Sequence, residues 1–198
     1  MIAKALNPNA HVYAFEPLER IHKILQENIL LNNIVSPAIK AHRIALSDYS
    51  GQGKMFDLPV EHMYTASLNR NIHAERGQLM PSVQEEVTVL RLDDFMKQNK
   101  ISGLDLIKID VESHEPAVLR GMGEWLRKFH PTLIIEIWNN EVGVAVEVAL
   151  AGCEYCYFAL AAAQPQRTQH IRNDFPDQGF INYLVCTQEV ALTIGLLT

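Results

Sequence analysis

Short apolar runs alternate with amphipathic stretches along this chain. His11–Phe15 is β-branched and aromatic and predicts a first strand. Ile21, Ile24, Leu25 and Ile29 recur at helical spacing, predicting a helix between Leu18 and Leu31 that Asn32 and Asn33 stop. Ala41–Leu46 predicts the next strand, and Gly51 and Gly53 mark a turn before a strand at Lys54–Leu58. Residues 59–84 are polar and aperiodic, a long loop of the kind that is functional or mobile in compact domains. Glu86–Leu92 alternates as a strand, and Asp93 and Asp94 are placed to cap a short helix through Lys100.

The stretch from Leu104 to Met122 carries the most chemistry. Leu104, Leu106, Ile107, Ile109 and Val111 predict a buried strand, and Pro116, Val118, Leu119 and Met122 the helix after it. Between them stand Asp110, Glu112, His114 and Glu115. Ionisable groups are thus gathered where a strand opens into a crevice, the place where open α/β sheets bind ligands. Thr132–Trp138 predicts a second apolar strand carrying Glu136, and Val142–Ala151 a helix. Tyr155–Leu160 predicts a strand, 161–178 a loop and Ile181–Thr187 a last strand. Alternating βα units of this kind imply a single α/β domain over residues 1–198, mostly parallel, with helices on both faces.

Composition narrows the function. A net charge of −6 with scattered Lys and Arg argues against a nucleic-acid surface. No apolar stretch reaches the roughly 18 residues of a membrane span, and the N-terminus lacks a signal-peptide core, so a cytoplasmic protein is expected. Cys153, Cys156 and Cys186 suggest no disulfide framework. The Cys153–Cys156 spacing could mark a redox pair or half a zinc site, but no second pair is present and the surroundings read as a strand.

An ordered set of short motifs resembles the FkbM-type methyltransferases. They are Val-Tyr-Ala-Phe-Glu-Pro at 12–17, Ala-Leu-Ser-Asp at 45–48, Arg-Leu-Asp-Asp-Phe at 91–95 and Leu-Ile-Lys-Ile-Asp-Val-Glu-Ser-His-Glu at 106–115. Ile-Ile-Glu-Ile at 134–137 and Asn-Tyr-Leu-Val at 182–185 continue the match. The resemblance implies a Rossmann-like class I sheet that takes a methyl group from S-adenosylmethionine. The acceptor it implies is a hydroxyl of a sugar or natural product, a small molecule.

The resemblance also distributes roles. Glu16, ending a strand, is expected to accept both ribose hydroxyls of the cofactor, against a capping role before Pro17. Asp48 is expected either at the adenine side or as a turn residue. Asp110 falls near the methyl group, where it would hold the methionine end of the cofactor or act as base. Glu112 and His114 are the other catalytic candidates, because a hydroxyl acceptor must lose its proton in the transition state. His114 titrates nearest the working pH and is the default base. Asp110, Glu112 and His114 with Glu136 also suggest an oxygen-rich magnesium site, though their spacing is no recognised metal signature. His62, His73 and Arg76 are candidates for a lid.

One departure stands out. Relatives of this type carry a central strand and a glycine-rich turn before the first helix, whereas the first glycine here is Gly51. Ile2, Ala3 and Leu6 look like the tail of that helix, and the central strand is expected to be missing. Its neighbours are then expected to close up or to take an edge or a strand from another chain, unless the sequence is a piece of a longer protein. Weak cofactor affinity is expected unless that gap is filled. The competing readings are a non-catalytic Rossmann-like assembly module and a nicotinamide-dependent oxidoreductase, which would need the same glycine turn.

Overall fold

Apolar side chains on both faces demand cover from both sides, and Thr132–Ile137 obtains it. The computed structural model describes residues 7, 9–31, 39–57, 66–69, 83–174 and 179–197. Its strands are β1 (Val12–Phe15), β2 (Ile39–His42), β3 (Ala45–Leu46), β4 (Gly51–Asp57), β5 (Val83–Leu90), β6 (Leu106–Ile109), β7 (Thr132–Ile137), β8 (Cys156–Ala159), β9 (Gln166–Thr168) and β10 (Ile181–Cys186). The helices are α1 (Glu19–Leu31), α2 (Leu92–Gln98), α3 (Glu115–Gly121), α4 (Trp125–Phe129), α5 (Asn140–Leu150) and α6 (Gln188–Thr193).

Three sheets result, in the orders β1-β2, β3-β5-β4 and β6-β7-β10-β8-β9. Parallel pairing holds for β1–β2, β3–β5 and β6–β7, while β4–β5, β7–β10, β8–β10 and β8–β9 are antiparallel. The α/β class therefore stands, with sheets that are only partly parallel. Phe95 and Met96 of α2, Leu119 of α3 and Val146 of α5 share one core with Ile135 of β7 and Tyr183 of β10.

Several local expectations shift. Ala41–Leu46 divides into β2 and β3, which join different sheets. Gly51 and Gly53 lie inside β4 rather than in a turn. Gly53 is needed there, since a Cβ would meet Val89 Cγ2 at 2.6 Å. Asp93 and Asp94 fall in the first turn of α2, where acids suit the helix dipole, and the cap position is Arg91. The loop at 161–178 holds the short β9, and α4 and α6 are too brief to show a period in sequence. His62, His73, Arg76 and the segment Ile2–Leu6 lie outside the described residues.

The expected buried strand at Leu104–Val111 is only half buried. Ile109 is 2% exposed but Leu106 is 53% exposed. The reason is an open edge: among the described residues β6 pairs with β7 alone, and β1 with β2 alone. Among the described residues no strand lies between them, yet the two have not closed up. They bound a cavity of about 1400 Å³. Helix α2 spans the interruption from below. Its Phe95 ring meets Phe15 at 4.8 Å and His42 at 4.8 Å edge-on, and packs in the same core as Ile109. One core thus props two sheet fragments apart.

Candidate active site

Loops at the carboxyl ends of β1, β3 and β6 deliver the charged groups. The cavity between β1 and β6 exceeds the 300–1,000 Å³ usual for ligand pockets. Glu16, Asp110, Glu112, His114 and Glu136 all line it, and Asp48 stands outside its wall.

Glu16 continues the β1–β2 ladder, its amide donating to the His42 carbonyl at 3.0 Å. Its Oε1 accepts the Leu18 amide at 2.9 Å. The capping role and the cavity-lining position therefore coexist in one carboxylate. Burial lifts its pKa above the usual value, against the Leu18 hydrogen bond and nearby His22.

Asp110, Glu112 and Glu136 form one cluster, each offering an oxygen within 4.8 Å of the others. Asp110 follows β6 and pairs with Lys108, Nζ to Oδ2 3.3 Å. Glu136 reaches in from β7 and is 7% exposed. Burial first, then the negative charges of Asp110 and Glu112, push Glu136 up to about 7, with Lys108 opposing. A proton on Glu136 relieves the repulsion among the three.

His114 stands apart from these carboxylates, so the four-residue set considered for a metal is not assembled. Its Nε2 lies 2.9 Å from Ser47 Oγ, and that hydroxyl donates to Asp48 Oδ1 at 3.3 Å. Arg120 donates from Nε to Asp48 Oδ2 at 2.9 Å. Desolvation lowers the His114 pKa, keeping the imidazole neutral at physiological pH. The Arg120 pair holds the Asp48 carboxyl below the usual value although burial pushes the other way. Asp48 is neither a free turn residue nor a wall of the cavity; it ties α3 to the end of β3.

The turn after β6 is strained. Glu112 and Ser113 both adopt left-handed backbone, at φ 57° and 68°. Ser67, which sequence reasoning missed, donates from Oγ to the Glu112 carbonyl at 2.8 Å. Glu115 was placed in the crevice by its position in sequence, but is wholly buried behind the loop. A left-handed non-glycine residue costs about 1–2 kcal/mol, more than glycine's extra unfolded-state entropy. Ser113→Gly is thus expected to stabilise the chain by about 0.5 kcal/mol, read as a higher thermal midpoint. A lower midpoint would contradict the left-handed turn.

This arrangement, a strand-end carboxylate and a carboxylate cluster facing one cavity, can be set beside known proteins. The Methyltransferase FkbM domain matches residues 1–181. The chain belongs to this family. It is 28% identical over 150 residues to the "31-O-demethyl-FK506 methyltransferase FkbM" of Streptomyces tacrolimicus, covering 64% of this chain and 56% of that protein. It is 26% identical over 153 residues to "Methyltransferase sdnD" of Sordaria araneosa, covering 67% and 59%. The chain thus spans under two thirds of the length of these curated relatives. The crystal structure of methyltransferase FkbM from Methylobacillus flagellatus shares the fold, with TM-score 0.57 and 14% identity over 92% of this chain and 39% of that one. Among the described residues no helix is long and apolar enough to cross a membrane.

Proposed function

We propose that this FkbM-family chain carries the reaction side of an S-adenosylmethionine-dependent O-methyltransferase acting on a hydroxyl of a sugar or natural product. The observation that carries this reading is the pairing of Glu16, at the end of β1, with the Asp110–Glu112–Glu136 cluster across one cavity. The name of the Streptomyces relative, a 31-O-demethyl-FK506 methyltransferase, supports the acceptor class. S-adenosylmethionine would supply an electrophilic methyl group. Glu16 would hold its ribose hydroxyls, and Asp110 its methionine end. The acceptor proton would pass to the carboxylate cluster, whose Glu136 titrates at about 7, close to the working pH of a general base. His114, bound to Ser47, would position the Asp48–Arg120 side rather than take that proton.

Titration calorimetry tests the reading. Micromolar binding of S-adenosylmethionine, weakened about 30-fold in Glu16→Ala by loss of about 2 kcal/mol of charge-assisted bonding, would support it despite the open gap beside β1. No binding at millimolar cofactor would sink it for this chain.

A second reading is a non-catalytic module that assembles with copies of itself. The edges of β1 and β6, unpaired among the described residues, and the exposed Leu106 favour it. Concentration-dependent self-association without cofactor binding would support this second reading and count against the first.

A further inference from the structure

The cluster depends on a turn that the backbone resists. Two successive left-handed residues, Glu112 and Ser113, each cost on the order of 1–3 kcal/mol unless their surroundings hold them. The holding group is Glu115, the first residue of α3. Its Oε1 accepts the Val111 amide at 3.2 Å and the Ser113 amide at 3.1 Å. These two donors flank Glu112, so one oxygen fixes the chain immediately before and after that residue. The Ser67 hydroxyl holds the intervening carbonyl.

Glu115 is 0% exposed, and its Oε2 is buried without a hydrogen-bond partner. An apolar residue would fill this space without leaving an orphaned oxygen, which costs about 1–3 kcal/mol. That oxygen lies beside the loop that carries Glu112 into the carboxylate cluster. We infer that Glu115 is a positioning residue: by clamping the Val111 and Ser113 amides it aims the Asp110 and Glu112 carboxylates at Glu136. The inference deepens the proposed function, because the cluster it orders is the reaction side of that reading.

The groups facing Glu136 are Asp110, Glu112 and Lys108. Opening the loop withdraws two negative charges from Glu136, and its titration falls by the part those charges contribute, burial keeping it above the ordinary carboxylate value. Carbon-13 NMR reads this on the chain alone, with no cofactor or acceptor, the Glu136 signal being assigned with Glu136→Gln. Glu115→Met keeps the length and packing of the side chain but offers no oxygen. Glu115→Gln keeps the accepting carbonyl. Glu136 is expected to titrate near 7 in the wild type and in Glu115→Gln. In Glu115→Met it should fall below the wild-type value, because the share set by Asp110 and Glu112 is lost while the share set by burial stays. An unchanged Glu136 in folded Glu115→Met overturns the inference.

Amide exchange of the wild type gives a second measurement that needs no foldable variant. Val111 and Ser113 should be protected; rapid exchange of both overturns the clamp. Because neither measurement uses S-adenosylmethionine, a chain that fails to bind cofactor can still pass or fail this test.

Discussion

Replacing Gly121 by alanine is expected to destabilise the chain by about 3 kcal/mol, at the upper end of overpacking costs. Gly121 closes α3, and a Cβ there would press into the Ser47 carbonyl oxygen and lie 2.9 Å from its carbon. Both atoms are backbone, so no side chain can swing away. Alanine's advantage in helix propensity, about 1 kcal/mol, is too small to compensate. Relief requires α3 to withdraw from the end of β3, breaking the 2.9 Å contact between Ser47 and His114. Gly103 supplies the control, since nothing lies within 4 Å of a Cβ built there. Gly103→Ala should stay within about 0.5 kcal/mol of wild type. Chemical denaturation measures both, and a Gly121→Ala midpoint equal to wild type would refute the close approach.

Stability should fall as pH rises from about 5 to about 8, opposite to the usual behaviour of paired carboxylates. Glu115 and Glu136 are both raised from 4.5 to about 7, chiefly by burial. Between those values the native chain holds protons that the unfolded chain has released. Their contribution is complete below pH 4.5 and lost as pH climbs through about 7. For the fully buried Glu115 the rise corresponds to on the order of 3 kcal/mol. Glu16, raised by burial, acts in the same direction. His42 and His114, both lowered by burial, oppose it, because the unfolded histidines gain protons below 6.5. The carboxylates outnumber them and the largest shifts are theirs. Glu115→Gln cannot ionise and should flatten the decline between pH 5 and 8 in denaturant unfolding. A slope identical to wild type would remove Glu115 as its source.

The chain's strands were legible wherever a short-range pattern decides burial. Thr132–Ile137 and Ile181–Cys186 are apolar on both faces or strictly alternating, and each forms at nearly its expected limits. Glu16 was legible for a similar reason: it follows the run that becomes β1, so its place at a strand end is local. The helix after Pro116 was legible from its first-turn proline and apolar spacing. By contrast, Gln166–Thr168 is polar and mostly exposed, and pairing with β8 alone makes it a strand. Leu106 belongs to an apolar run yet is exposed, because among the described residues β6 has a partner strand on one side only.

By itself the sequence determined the longer strands and helices, the family, and a concentration of acids after β6. These rest on periodicity and motif order, which neighbouring residues carry. Tertiary structure alone decided how those acids divide. Glu136 joins Asp110 and Glu112 through parallel pairing of β6 with β7. His114 is drawn to Ser47, 67 residues away, and Glu115 turns inward to hold the loop. The cavity between β1 and β6 is likewise a tertiary feature, lined by two sheet fragments whose residues pack against one core. Charge, burial and hydrogen bonding act over a few ångströms in space, whatever the separation along the chain.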